Sequence, residues 1–151
     1  YRTHTVTDYR RIPDSLAPVY ALGDVMTLQS WRLRDPVEVT ACQTITVETW
    51  WQADAAIDAD YSLTLALATA GGAGIANADG APAGLITGLW QPDQLYVDER
   101  ALTIPCDTPP GELLLLVGLY DVNSGQSVEL SQPDGALVGQ RGYLTTLFVQ
   151  E

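Results

Sequence analysis

Apolar and polar residues alternate with a period of two along most of this chain, and runs of Gly, Pro, Asn and Asp interrupt the alternation about every ten residues. In residues 43–52, QTITVETWWQ, the side chains of Ile45, Val47, Thr49 and Trp51 share one face of an extended segment, and those of Thr44, Thr46, Glu48 and Trp50 share the other. Residues 61–70, YSLTLALATA, repeat the pattern with Tyr61, Leu63, Leu65 and Leu67 inward. Asp58 and Asp60 before this run and Gly71-Gly72 after it favour a strand over a helix. Residues 25–34 put Met26 and Leu28 on one parity and Trp31 and Leu33 on the other, which predicts a bulge near Gln29 and Ser30.

A short strand is expected at residues 74–78, then a long Gly- and Pro-rich crossing loop over residues 79–94. Residues 95–104 resume with Leu95 and Val97, break at Glu99 to Ala101 and continue with Leu102 and Ile104. The run Leu113 to Tyr120 is too short to cross a bilayer core of roughly 30 Å, and Gly111 and Gly118 serve a helix poorly. It reads as a central strand covered on both faces. The Asn-Ser-Gly at 123–125 is expected to turn into a strand at 127–130, and residues 143–150 form a closing strand. The expected fold class is therefore all-β, a two-sheet antiparallel sandwich of immunoglobulin-like or fibronectin III-like topology, with a closed barrel or jelly roll as the alternative. Residues 1–17 mix charge, Thr and Pro without periodicity and read as a linker or N-terminal arm, leaving 18–151 as the sandwich domain. Beginning at Tyr1 with no signal segment, the chain reads as an excised piece of a larger protein.

Charge narrows the partners. Nineteen acids oppose seven bases, all arginine, for a formal net charge of −12. Between Asp35 and Asp134 the only base is Arg100, against fifteen acids. Such a body repels phosphate backbones and anionic membrane surfaces, so nucleic acid is not an expected partner.

Two cysteines remain to be placed. Cys42 precedes the 43–52 strand and Cys106 follows the 95–104 strand; antiparallel pairing of those strands brings the sulfurs together at one sheet edge. A disulfide there implies an oxidising, exported compartment, while two unpaired small hydrophobes are the other reading. The two cysteines and the remote His4 supply no metal-ligand set, and no cofactor is expected.

Catalytic motifs are missing from the sequence: there is no G-x-S-x-G, H-E-x-x-H, P-loop or G-x-G-x-x-G, and "GGAG" at 71–74 precedes no helix. Asp54, Asp58 and Asp60 lack the Gly and Glu of an EF-hand loop and read as a solvated turn rather than a calcium site. By parity Trp51 faces the core, and Trp31 reads the same way, whereas Trp50 faces outward unless another segment covers it. Trp90 lies in the crossing loop near Tyr96. Trp50, Trp90, Tyr96 and Asp79 are the candidate ligand or partner surface, because exposed aromatics beside carboxylates suit sugar stacking or domain docking.

Several segments carry a resemblance. "LGDVMTLQSWRL" at 22–33, "ITVETWWQADAAIDADYSLTLAL" at 45–67, "DGAP" at 79–82, "ITGLWQPDQLYVDERALTIP" at 86–105 and "PPGELLLLVGLYD" at 109–121 resemble, in this order, an accessory sandwich domain. That domain stands at the C-terminus of bacterial multi-pass membrane proteins similar to dolichyl-phosphate-mannose-protein mannosyltransferases. Trp51, Tyr61, Asp79, Pro82, Trp90, Asp98, Gly111, Gly118 and Tyr120 occupy the matching positions. The chain departs from the pattern at Gln126-Ser127, where an arginine often follows the hairpin, and in carrying two cysteines. The resemblance implies a non-catalytic accessory domain on the exported face of a membrane, tethered by upstream spans and packed on the membrane-embedded part of the same polypeptide or a neighbouring domain. In that setting the whole polypeptide, not this domain, would be the glycosyltransferase. The alternatives are a carbohydrate-binding module using exposed Trp and Tyr and, less favoured, an independent glycoside hydrolase.

Overall fold

The computed structural model describes residues 18–151; residues 1–17, read above as an arm, lie outside the described residues. Eleven strands follow in chain order among the described residues: β1 (Tyr20–Leu22), β2 (Met26–Leu33), β3 (Glu38–Val39), β4 (Thr44–Gln52), β5 (Tyr61–Thr69), β6 (Gly74–Gly80), β7 (Tyr96–Thr103), β8 (Gly111–Asp121), β9 (Leu130–Ser131), β10 (Leu137–Gly139) and β11 (Gly142–Val149). They form a six-stranded sheet in the order β10-β9-β1-β2-β4-β7 and a five-stranded sheet in the order β3-β11-β8-β5-β6. The molecule is an all-β sandwich, and among the described residues no helix is long and apolar enough to cross a membrane.

The period-two pattern sets the two inner faces. Ile45, Val47 and Trp51 of β4 meet Leu63, Leu65 and Leu67 of β5 in one apolar core, all without solvent exposure. The ladder between β2 and β4 shifts register between Leu28 and Ser30, so the expected bulge is present and lets Leu28, Trp31 and Leu33 all contribute to the core side. Cys42 and Cys106 are disulfide-bonded, as the antiparallel pairing of β4 with β7 requires.

Four details differ from the sequence pattern. The strand at residues 95–104 does not break: β7 runs unbroken because its inward positions include a charged pair, Asp98 and Arg100, in place of apolar residues. β8 is central, between β11 and β5, but it is sealed on one face only. Leu113, Leu115, Val117 and Leu119 are buried, whereas Leu114, Leu116 and Tyr120 on the outer face are half-exposed. The segment after Asn123-Ser124-Gly125 makes a single bridge, Tyr120 to Ser127, and then crosses to the other sheet, where β9 pairs with β1. Lastly, β3 runs parallel to β11, so the pairing is not antiparallel throughout.

Gly118 marks a close approach on the outer face of β8. A Cβ there would lie 3.0 Å from the Gln140 carbonyl oxygen and 3.2 Å from Thr64 Cγ2. Gly118→Leu is expected to cost about 1–3 kcal/mol by overpacking, read as a lowered urea midpoint at unchanged slope. An unchanged midpoint would show that the 139–141 segment lifts off freely.

Candidate functional site

The crossing loop between β6 and β7 is built from the inside. Arg100 leaves β7 toward the facing sheet and is 3% exposed. Its Nη1 donates to the carbonyls of Leu63 and Ala78 at 3.0 and 3.2 Å, and its Nη2 donates to those of Gly80 and Ala81 and to Asp98 Oδ1, the last at 2.8 Å. Asp98 Oδ1 also accepts the Ala83 N–H at 2.9 Å. Burial holds the Asp98 carboxyl above its ordinary pKa, and the Arg100 charge and the Ala83 N–H offset this only in part. One ion pair therefore ties two strands of the five-stranded sheet, the start of the loop and β7 together.

The rest of the loop is pinned by aromatic and hydroxyl groups. Trp90 and Tyr96 stack with centroids 4.2 Å apart and planes at 20°, and both are buried. Trp90 Nε1 donates to the Leu85 carbonyl, and the Tyr96 hydroxyl accepts the Gln91 N–H. Thr87, without exposure, donates to the Ala59 carbonyl at 2.7 Å and accepts the Tyr61 N–H at 3.0 Å. Held in this way, the loop turns Ile86 and Leu89 out to solvent.

Beside that loop, at the Tyr61 end of β5, lies a groove of about 440 Å³. Asp60, Tyr61, Asp79, Tyr120, Ile86 and Val122 line it, together with Ser62, Gly80 and Ala81. Asp79 is fixed from three sides. Its Oδ1 accepts from Thr64 Oγ1 at 2.6 Å and Asn77 Nδ2 at 3.0 Å, and its Oδ2 accepts from the Tyr120 hydroxyl at 3.1 Å. Burial alone would raise this carboxyl, but those three hydrogen bonds and the Arg100 charge outweigh it, so it titrates below its ordinary 3.8 and is ionised at neutral pH. A second concavity of about 550 Å³ lies at the opposite end of β5 and β8, beside the disulfide. Its walls are mainly Ile75, Pro105, Pro109, Pro110 and Leu113.

The structure disperses the sequence candidates. Asp79 lies in the groove, while Trp90 and Tyr96 are core residues that shape the loop behind it. Trp50 faces outward, as parity requires, yet it is fully buried; the Arg32 guanidinium sits 5.5 Å from its ring centroid. Arg32 Nε and Nη2 both donate to Glu48 Oε1, and Arg34 links Glu48 to Glu99, so this outer face is covered by ion pairs and offers no open indole. Trp50, Trp90 and Tyr96 thus do not form a platform open to solvent. Asp60 of the acidic turn lines the groove, and among the described residues no three His, Cys, Asp or Glu side chains gather as a metal site. Tyr61 is a motif position, whereas Ile86 and Val122 carry no local signal that marks a site, because the ends of β5, β6 and β8 and the crossing loop must meet before they adjoin. Asp79 and Tyr120 are both motif positions, and their register across β6, β5 and β8 brings them together.

No family model and no curated protein matches the chain. Among solved structures it is similar to the C-terminal domain of wzt, with a TM-score of 0.60 at 12% identity, covering 99% of this chain and 83% of that one. The likeness is one of fold. A calcium-binding mutant of Bacteroides uniformis beta-glucuronidase 2 is similar at a TM-score of 0.48 and 12% identity, over 83% of this chain and 13% of that one.

Proposed function

We propose that this is a non-catalytic, extracytoplasmic binding domain whose groove at Tyr61, Asp79 and Tyr120 carries a carbohydrate. In this reading it is an accessory part of a membrane-associated, glycosyltransferase-like polypeptide. The observation that carries the proposal is the anchored Asp79 carboxylate: an ionised acceptor held rigid by Thr64, Asn77 and Tyr120, next to tyrosines and exposed aliphatic groups, is the mixed surface on which sugars are bound by hydrogen bonds and apolar contact. The Cys42–Cys106 bridge supports an oxidising location. The charged side chains buried in the sandwich, Glu48, Asp98 and Arg100, are spent on holding strands and loop, which supports a binding rather than a chemical role.

Titration of a panel of oligosaccharides by calorimetry tests the assignment. Binding is expected for at least one, with Tyr120→Ala weakening it tenfold or more through loss of ring contact and of an Asp79 donor. No heat with any sugar, or turnover of a glycoside by the isolated domain, would overturn it. A second reading follows from the exposed Ile86 and Val122, which are 52% and 55% accessible and line the groove. That rim suits contact with a neighbouring domain of the same polypeptide. Ile86→Asp with Val122→Asp would weaken that contact in the longer protein.

A further inference from the structure

We propose that the Asp134-Gly135 step, in the turn between β9 and β10, is a site of spontaneous aspartate isomerisation, and that the fold protects the other Asp-Gly step of the chain, Asp79-Gly80, from the same change. Nothing in this depends on the groove holding a sugar.

Aspartate before glycine is the pair in which a succinimide ring closes most readily, because no Cβ on the second residue hinders its nitrogen. The Gly135 nitrogen attacks Asp134 Cγ; the nitrogen gives up its proton, the carboxyl gives up a hydroxyl, and the two leave as water. The ring then takes water back at the Asp134 main-chain carbonyl carbon, and the bond from that carbon to the Gly135 nitrogen breaks. The main chain now runs through Cβ and Cγ, with no oxidant, reductant or change of mass.

Closure requires the Asp134 side chain and its ψ to turn together, so local hydrogen bonds decide which step reacts. At Asp134 they all lie within one turn. The Gly135 N–H donates to the Gln132 carbonyl at 2.8 Å, the Gln132 N–H to the Ala136 carbonyl at 2.8 Å, and the Ala136 N–H to Asp134 Oδ1 at 2.9 Å. Every residue from Gln132 to Val138 is exposed, β10 meets β9 only through Leu137 and Gly139, and it is the terminal strand of its sheet. Opening this turn uncovers no buried side chain and lies at the low-cost end of local unfolding. Asp79 is the opposite case. Its carboxylate is held by Thr64, Asn77 and Tyr120, its backbone stands in the ladder opposite Thr64, and Gly80 stands opposite Leu63 with its carbonyl on Arg100. Ring closure there requires β6 to leave both β5 and the buried guanidinium.

The test is incubation at pH 6 and 37 °C for several weeks, with the folded protein in buffer and a reduced, unfolded sample in guanidinium chloride alongside. Isoaspartate is counted with an L-isoaspartyl methyltransferase used as a reagent, and is located with Asp-N protease, which cuts before aspartate but not before isoaspartate. In guanidinium chloride the two Asp-Gly steps are expected to isomerise at similar rates. In the folded protein isomerisation is expected to be at least about tenfold faster at Asp134 than at Asp79, the difference in local opening. Asp134→Ser, which keeps a hydroxyl for the Ala136 N–H, should remove most of the methyl uptake of the folded protein. Equal rates at the two steps in the folded protein, or methyl uptake unchanged by Asp134→Ser, would overturn the assignment. So would isomerisation at both steps in guanidinium chloride but at neither in the folded protein, because the turn would then be as well protected as the strand.

Discussion

Arg100→Met is expected to lower the unfolding free energy by about 3–5 kcal/mol, the largest effect of any single substitution proposed for this chain. The change strands the Asp98 carboxylate, which has no solvent exposure, and withdraws donors from the carbonyls of Leu63, Ala78, Gly80 and Ala81. A partner left charged and buried costs more than the pair itself contributes, so the double variant Arg100→Met with Asp98→Leu should recover part of the loss. Urea unfolding of the two single variants and the double variant closes the cycle. Additive losses would show that the two side chains are not coupled, against the 2.8 Å contact between them. The folded fraction of Arg100→Met should also bind sugar less well, because Gly80 and Ala81 line the groove and lean on Arg100 without Arg100 touching a ligand.

Breaking the disulfide is the second large effect. Cys42 and Cys106 are 64 residues apart in sequence, and closing a loop of that size removes enough unfolded-chain entropy to stabilise the fold by about 4 kcal/mol in the chain-entropy model. The paired variant Cys42→Ser with Cys106→Ser should therefore unfold at a much lower urea concentration than the oxidised protein, and reductant should shift only the latter. A shift equivalent to less than about 1 kcal/mol would mean that the unfolded chain is already compact around this loop. The bridge joins the chain just before β4 to the chain just after β7, at the end of the sandwich away from the groove, so ligand affinity of the folded protein should stay unchanged.

The strand pattern was legible wherever large apolar side chains on the core face alternate with polar or small ones on the other. β4 and β5 were read residue by residue, and the β2 bulge was visible as a change of parity, because a slip of one residue would turn a whole apolar set outward. The cysteine pairing followed from the same register. Where the pattern misled, a long-range partner had changed what a position can hold. Asp98 and Arg100 look like a break in a strand until facing carbonyls and a loop N–H are supplied to them. Trp50 looks exposed until arginine is laid across it, and Trp90 and Tyr96 look like a loop platform until each is stacked on the other.

Alternation and turn residues, each a local property of the chain, by themselves determined the sandwich class and the inward set of β4 and β5, and they offered the Cys42–Cys106 bridge as one of two readings, which the structure decided. Only the tertiary structure decided where a ligand can sit, because the groove joins Asp60 and Tyr61 at the start of β5, Asp79 on β6, Ile86 in the loop and Tyr120 on β8. Those residues are distant in sequence: the hydrogen bonds that orient Asp79 come from β5, β6 and β8 lying side by side, and Arg100 of the facing sheet holds the Gly80 and Ala81 carbonyls.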